Sequence, residues 1–129
     1  MAILGLIGVP CDANAVHRLP AGFHWGRCLL EIDGKKYITG RCAYEIGPGA
    51  SFEFHGPHQI WAGIDYKPED FAGEQSNDYF ASIDVEGSTA DGFWNENIRA
   101  THAQAFLGTL RRRGACWVNE RAKVCLWRK

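Results

Sequence analysis

The chain has 129 residues, of which 46% are hydrophobic and 22% charged, and its net charge is −1. This length suits one compact domain, and with 12% aromatic residues the composition excludes an intrinsically disordered chain. Fifteen glycines predict many turns, and many turns with few long periodic stretches favour short strands over long helices.

The first 25 residues form an apolar segment and loop, distinct from a single β-rich domain predicted over residues 26–129. This segment opens with the apolar run Ala2–Val9, which is far too short to span a bilayer. The small residues around Asn14 fit the pattern of a signal-peptide cleavage site, but no basic stretch precedes the apolar run. Two interpretations stay open: the remnant of a signal peptide, or an ordinary buried first strand.

Turn-forming residues divide the rest of the chain into short strands. The clearest hairpin signal is Asp33-Gly34, because both residues tolerate positive φ and apolar runs flank them. Ser51–His55 shows the apolar–polar alternation of a half-buried strand. We predict strands over residues 27–32, 36–41, 43–46, 51–55, 58–64, 79–85, 93–94, 115–118 and 123–127.

The one helical signal lies between Thr101 and Leu110. Gly108 weakens this helix by roughly 1 kcal/mol relative to alanine. The apolar side chains that share one face at helical spacing are Ala103, Phe106, Leu107 and Leu110. The predicted fold is therefore mainly β, a small sandwich or barrel of about six to eight short strands, with one short helix covering an edge or an open end.

The strongest chemical signal is a set of five cysteines, Cys11, Cys28, Cys42, Cys116 and Cys125. If residues 119–122 form a four-residue hairpin loop, Cys116 faces Cys125 directly. Facing residues on antiparallel strands have Cα atoms about 4.5–5.5 Å apart, within the roughly 4.4–6.8 Å that a disulfide tolerates. We therefore predict a Cys116–Cys125 disulfide, the alternative being two buried free thiols.

A second disulfide, between Cys28 and Cys42, needs an irregular strand. A plain two-residue turn in the first hairpin pairs Cys28 with Thr39 and points Cys42 to the opposite face. A bulge, for instance at Gly40, restores the pairing. A zinc site is disfavoured, because the cysteine spacings differ from those of structural zinc sites, and we predict neither a metal nor a cofactor.

The late stretch Gly114–Asn119 (GACWVN) is the most distinctive part of the sequence. Together with the hairpin between Cys28 and Cys42 and the strand Tyr79-Phe80-Ala81, it resembles small exported proteobacterial proteins of unknown function, over roughly residues 28–125. The resemblance implies export and disulfide bonds but no activity. Because disulfides persist in oxidising compartments, we expect a periplasmic or secreted location, with a cytoplasmic one as the alternative.

The candidate catalytic residues are His55, His58 and Asp65. The two histidines flank a Gly-Pro turn, where they could bind a metal or transfer protons. A catalytic metal site needs a third protein ligand, and nothing in the sequence places one beside them. The simpler interpretation is two surface histidines at a strand–turn–strand junction. The sequence also has neither a G-x-S-x-G turn nor a phosphate-binding glycine motif.

Charge is unevenly spread along the chain. Up to Asn97 there are 6 Lys and Arg against 14 Asp and Glu, whereas from Ile98 onward there are 8 against one. The basic end either packs against the acidic body or forms a surface for an anionic polymer or an acidic protein. Basic residues with interleaved aromatics also bind single-stranded nucleic acid. The candidate binding residues are Arg111, Arg112, Arg113, Arg121, Lys123 and Trp127.

These features favour a small exported, disulfide-stapled binding or inhibitor protein, whose partner is a protein or an anionic polymer. Small inhibitors of cell-wall lytic enzymes are one such class, and an acidic body suits a basic enzyme. One alternative is a small hydrolase that uses His55 or His58. Another is a cytoplasmic nucleic-acid-binding or phage-type protein that uses the basic C-terminal hairpin. We expect no membrane span.

Overall fold

The computed structural model describes residues 18–67, 69 and 76–128. Its strands form one closed antiparallel barrel, in which each strand pairs with the next along the chain and the last pairs with the first. The predicted mainly β fold is confirmed. The strands are β1 (His24–Ile32), β2 (Lys35–Ile46), β3 (Phe52–His55), β4 (Phe80–Glu86), β5 (Thr89–Trp94), β6 (Ala105–Arg113), β7 (Cys116–Val118) and β8 (Ala122–Trp127). The apolar run Ala2–Val9 and Cys11 lie outside the described residues.

Apolar side chains from alternate strand positions fill the interior of the barrel. An eight-stranded barrel has an interior just wide enough for side chains to fill. Each fully buried side chain of this size contributes about 1.5–3 kcal/mol to the free energy of unfolding. The fully buried side chains include Leu30, Phe54, Ile83, Leu110 and Val124. Packing is tight at Gly92, where an added Cβ would lie 2.8 Å from Leu110 Cδ1.

The helix predicted over Thr101–Leu110 is wrong, because most of this segment belongs to strand β6. A β-bulge produced the misleading pattern. Phe93 pairs with Phe106, where the β5–β6 register shifts, so Leu107 is an extra residue on β6. In a regular strand, residues three positions apart point to opposite faces of the sheet. The bulge shifts this alternation by one residue, so Leu107 and Leu110 are both buried in the barrel. Phe106 is 52% exposed, which a core-facing helix position would not be.

Two other strand predictions also differ from the structure. Residues 58–64 form turns with one isolated bridge between Ala62 and Tyr66. Gly63 has φ of +82°, and the Asp65 carboxylate accepts a hydrogen bond from the Trp61 backbone N–H at 2.7 Å, so the backbone turns here instead of extending. Residues 43–46 are the last part of β2 and not a separate strand.

Both predicted disulfides are present. Cys116 on β7 faces Cys125 on β8 directly, and their Cα atoms lie 4.0 Å apart. This pair lies outside the apolar cluster that fills the barrel, although Cys125 is fully buried. The hairpin loop of residues 119–122 sets this register, as the sequence predicted.

The second disulfide joins Cys28 and Cys42 inside the barrel, with their Cα atoms 5.8 Å apart. The two residues are diagonal neighbours, because Cys28 faces Gly40 and Cys42 faces Gly26. The β1–β2 register skips Tyr37, so the bulge lies there and not at Gly40. This extra residue turns both cysteines toward the same face of the sheet.

The connections between strands gather at two ends of the barrel. The near end carries the turns that join β2 to β3, β4 to β5 and β6 to β7. The far end carries the short β1–β2 and β7–β8 turns and two longer connections. Asn95 ties these longer connections together, because its side chain donates to the carbonyl oxygens of Asp78, Asn97 and Ala100. Nowhere in the described part of the chain does a helix have the length and apolar character needed to cross a bilayer.

Candidate functional site

His55 lies in a closed environment beneath the loop that follows β3, and it is only 6% exposed. Its Nε2 lies 2.6 Å from Glu53 Oε2, and its Nδ1 lies 2.9 Å from Gln59 Oε1. Three aromatic rings pack on the imidazole, with centroids 4.6–5.7 Å away: Phe80, Trp61 and Phe23. Because both ring nitrogens already have partners, neither is left for a substrate or a metal, and this geometry suits a structural role.

The other two predicted catalytic residues bond elsewhere. His58 is exposed, and its backbone N–H donates to Asp78 Oδ2 at 2.8 Å. Asp65 closes the turn at Trp61 and is exposed. Among the residues that the structure describes, no three His, Cys, Asp or Glu side chains are grouped to hold a metal ion. The three candidates therefore do not form one catalytic set.

The predicted basic residues are divided along the length of the barrel. Arg112 and Arg113 lie at the near end, where β6 finishes. Arg121 lies in the β7–β8 turn at the far end, where it forms an exposed ion pair with Asp33 at 3.4 Å. Arg111 and Lys123 both pair with Val118, so they lie between these ends on one outer face of the sheet.

Trp127 belongs to a surface that the sequence does not predict. On the outer face, Arg27 of β1 pairs with Arg41 of β2 on one side and with Trp127 of β8 on the other. The Arg27 guanidinium carbon lies 5.4 Å from the Trp127 ring centroid, and that of Arg41 lies 3.9 Å from the Trp25 ring centroid. We call these four residues the Arg–Trp wall. Strand alternation places Trp25 and Arg27 on one face, but the sequence does not show that β8 closes beside them.

The outer face of β2 to β5 is acidic instead. Glu45 pairs with Glu53 across β2 and β3, and Asp84 pairs with Asp91 across β4 and β5. We call these four residues the acidic wall. Like charges directly opposite each other destabilise a sheet, and the facing Arg27 and Arg41 do the same on the other wall. Arg27 with Arg41, and Asp84 with Asp91, thus carry a local electrostatic cost that an oppositely charged partner would offset, whereas Glu53 already contacts His55 Nε2.

The near end of the barrel holds an open cavity of about 750 Å³. Arg111 and Arg112 of β6 and Trp117 of β7 line one side of it. The turn at Gly49 and the β4–β5 turn, residues 87–89, contribute the other side. Strand neighbours such as Arg111 and Arg112 normally point to opposite faces of a sheet. Both nevertheless line this cavity, although Arg111 pairs with Val118 on the outer face.

Comparison with known proteins identifies no relative: no family model, no curated protein and no solved structure matches the chain. The resemblance to small exported proteobacterial proteins therefore stays a prediction. The two disulfides are consistent with an extracellular or periplasmic location.

Proposed function

We propose that the chain is a small exported binding protein that holds an anionic polymer on the Arg–Trp wall. The observation that carries the proposal is the pairing of Arg27 with both Arg41 and Trp127 on the outer face of three adjacent strands. Arginine and tryptophan are the side chains most enriched among residues that dominate binding energy at protein surfaces. Here both types lie on a rigid, disulfide-linked sheet.

The physical basis is electrostatic attraction combined with aromatic contact. Arg27 and Arg41 are exposed and face each other, so an anionic group between them removes their mutual repulsion. Trp25 and Trp127 hold the guanidinium groups by cation–π contact, which contributes about 0.5–1 kcal/mol at an exposed site. This contact orders both arginines before a partner arrives and lowers the entropy lost on binding.

Two further features support a binding protein over an enzyme. The barrel interior is filled by side chains, so an outer surface is the natural place for a partner. The hydrogen-bond partners of His55 are Glu53 and Gln59, and neither is a nucleophile that a histidine base could activate.

The test is binding of the full chain to a heparin-type sulfated polysaccharide over a series of salt concentrations. The double variant Arg27→Glu/Arg41→Glu should bind at least about tenfold more weakly, because it reverses two contacting charges. The matched control Lys35→Glu/Lys36→Glu reverses two charges beside the first hairpin turn and should lose less than about threefold. Equal losses in both variants would mean that only net charge matters.

Single-stranded DNA serves as the competitor in the same assay. If it displaces the polysaccharide and binds more tightly, the wall is a nucleic-acid surface and the alternative of a nucleic-acid-binding protein replaces the proposal. Tighter binding of the polysaccharide supports an exported polymer-binding protein.

The acidic wall favours a second candidate, an inhibitor of a basic cell-wall lytic enzyme. Its like-charge pairs, Glu45 with Glu53 and Asp84 with Asp91, suit a positively charged protein surface. A lysozyme-type enzyme should then be inhibited by the chain, and the variant Glu45→Lys/Asp84→Lys should lose that inhibition. The Arg27→Glu/Arg41→Glu variant is the matched control and should inhibit as well as the natural chain.

A further inference from the structure

Among the described residues that line it, the cavity at the near end of the barrel has two cations and no acidic side chain. Its charged lining residues are Arg111 and Arg112, and the rest are Trp117, Val85 and small or hydroxyl residues of the surrounding turns. In the part of the chain that the structure describes, the close contacts between basic and acidic side chains are His55 with Glu53 and Arg121 with Asp33, and neither involves the cavity. Arg111 and Arg112 therefore line the cavity with no acidic partner among the described residues.

The structure holds Arg112 in a position that leaves donors free. Its Nε donates to the Gly114 carbonyl oxygen at 3.1 Å, and its guanidinium carbon lies 6.0 Å from the Trp117 ring centroid. A guanidinium group has five N–H donors, so four on the terminal nitrogens remain for a ligand. This planar set of donors matches the oxygens of carboxylate, phosphate or sulfate groups.

The surrounding turns leave space for more than a bare anion. The volume of about 750 Å³ lies in the range of roughly 300–1,000 Å³ that small-ligand sites occupy. Gly49 and Gly87 contribute no side chain to the rim, and the Ser88 hydroxyl adds a polar group that can donate or accept a hydrogen bond. Ala50 has φ of +68°, a conformation that alanine rarely adopts, so the rim is held in a strained shape.

We infer that this cavity is a binding site for an oxyanion-bearing ligand about the size of a sugar acid, held by Arg111 and Arg112. The inference deepens the proposed function, because it rests on an anionic partner and names a second contact for it. The oxyanion has two possible sources, a free small molecule or a charged unit of a polymer, and the chemistry that recognises it is the same.

The experiment is a titration of the ¹⁵N-labelled full chain, followed by NMR at constant ionic strength. The probes are phosphate, sulfate, glucuronate and a short galacturonate oligomer, with glucose as the uncharged control. We expect saturating shifts at the Arg112 side-chain Nε–H and the Gly87 and Ser88 amides, with none for glucose. Saturation by a monomer identifies a free ligand, and saturation by the oligomer alone identifies a polymer unit.

Matched variants distinguish anion binding in the cavity from a general effect of the net charge of the protein. Arg111→Gln and Arg112→Gln should each weaken binding about tenfold or more, because each removes charge-assisted hydrogen bonds. Arg113→Gln and Lys123→Gln remove the same charge outside the cavity and should change binding less than about twofold. Arg112→Lys keeps the charge without the planar donors and should show an intermediate loss even if Arg112→Gln disturbs the packing on Trp117.

Two results would overturn the inference: no saturating shift with any anion, or equal losses in all four glutamine variants. These outcomes are separate from those of the polysaccharide assay. If Arg27→Glu/Arg41→Glu abolishes polysaccharide binding while no anion shifts the cavity signals, the cavity assignment fails and the proposed function stands. If the cavity binds anions while Arg27→Glu/Arg41→Glu binds the polysaccharide as well as the natural chain does, the proposal for the Arg–Trp wall fails and the cavity assignment stands.

Discussion

The disulfide inside the barrel offers the sharpest test of how this fold is stabilised. In the double variant Cys28→Ala/Cys42→Ala, the unfolded chain loses a cross-link that closes 15 residues, which costs about 3 kcal/mol of stability in the chain-entropy account. Both cysteines are at most 1% exposed, so removing the two sulfur atoms also leaves unfilled space in the core, at about 1–2 kcal/mol. The expected total loss is about 4–5 kcal/mol, a large part of the roughly 5–15 kcal/mol that holds a domain folded.

The assay is urea unfolding of the oxidised chain and of the double variant, with the free energy extrapolated linearly to water. The matched variant Cys116→Ala/Cys125→Ala opens a ten-residue segment, and its chain-entropy loss alone is about 2.7 kcal/mol. Full reduction of the natural chain opens both disulfides and keeps every sulfur atom, so it measures the two cross-links together without the loss of packing. A loss below about 1 kcal/mol in Cys28→Ala/Cys42→Ala would refute the reasoning, because neither the cross-link nor the buried sulfur would then matter.

Three other outcomes follow from the fold, each measured by urea unfolding. Leu107→Ser should lower the free energy of unfolding by about 3 kcal/mol or more, and Phe106→Ser by less than about 1 kcal/mol, because the bulge buries only the leucine. Similar losses in the two variants would favour the rejected helix. Gly92→Ala should lower the free energy of unfolding by about 1–3 kcal/mol, because the added methyl group crowds the core. Gly47→Ala, where an added Cβ has room, should change it by less than about 1 kcal/mol. The opposite order of losses would contradict the packing. His55→Ala should cost about 2–4 kcal/mol through lost ring packing and hydrogen bonds, whereas a catalytic histidine would lose activity with stability intact.

Local features of the fold were readable from the sequence. Asp33 and Gly34 form the first hairpin turn with φ of +52° and +82°, as their residue types predicted. The Cys116–Cys125 pairing followed from the length of one short loop, because a hairpin register depends only on the residues between its strands. Such features need no knowledge of distant parts of the chain.

Features that depend on irregular or distant pairing were not readable. The bulges at Tyr37 and Leu107 shift the alternation by one residue, and no residue type marks these positions uniquely. The bulge at Leu107 gave strand β6 an apolar spacing typical of a helix. The Arg–Trp wall requires Arg27 to meet Trp127, which only closure of the barrel brings about. Arg113 and Arg121 are close in the sequence, but β7 runs between them and places Arg121 at the far end.

The closure between β1 and β8 has a consequence for the order in which the chain assembles. This seam joins residues as far apart as Arg27 and Trp127, so its loop-closure entropy is high and its formation slow. Each of its two strands belongs to a local hairpin with its own disulfide, Cys28–Cys42 at the start and Cys116–Cys125 at the end. Both cross-links can therefore form early, without waiting for the barrel. The seam then joins two hairpins that are already cross-linked, so oxidation favours this long-range pairing although neither disulfide spans it.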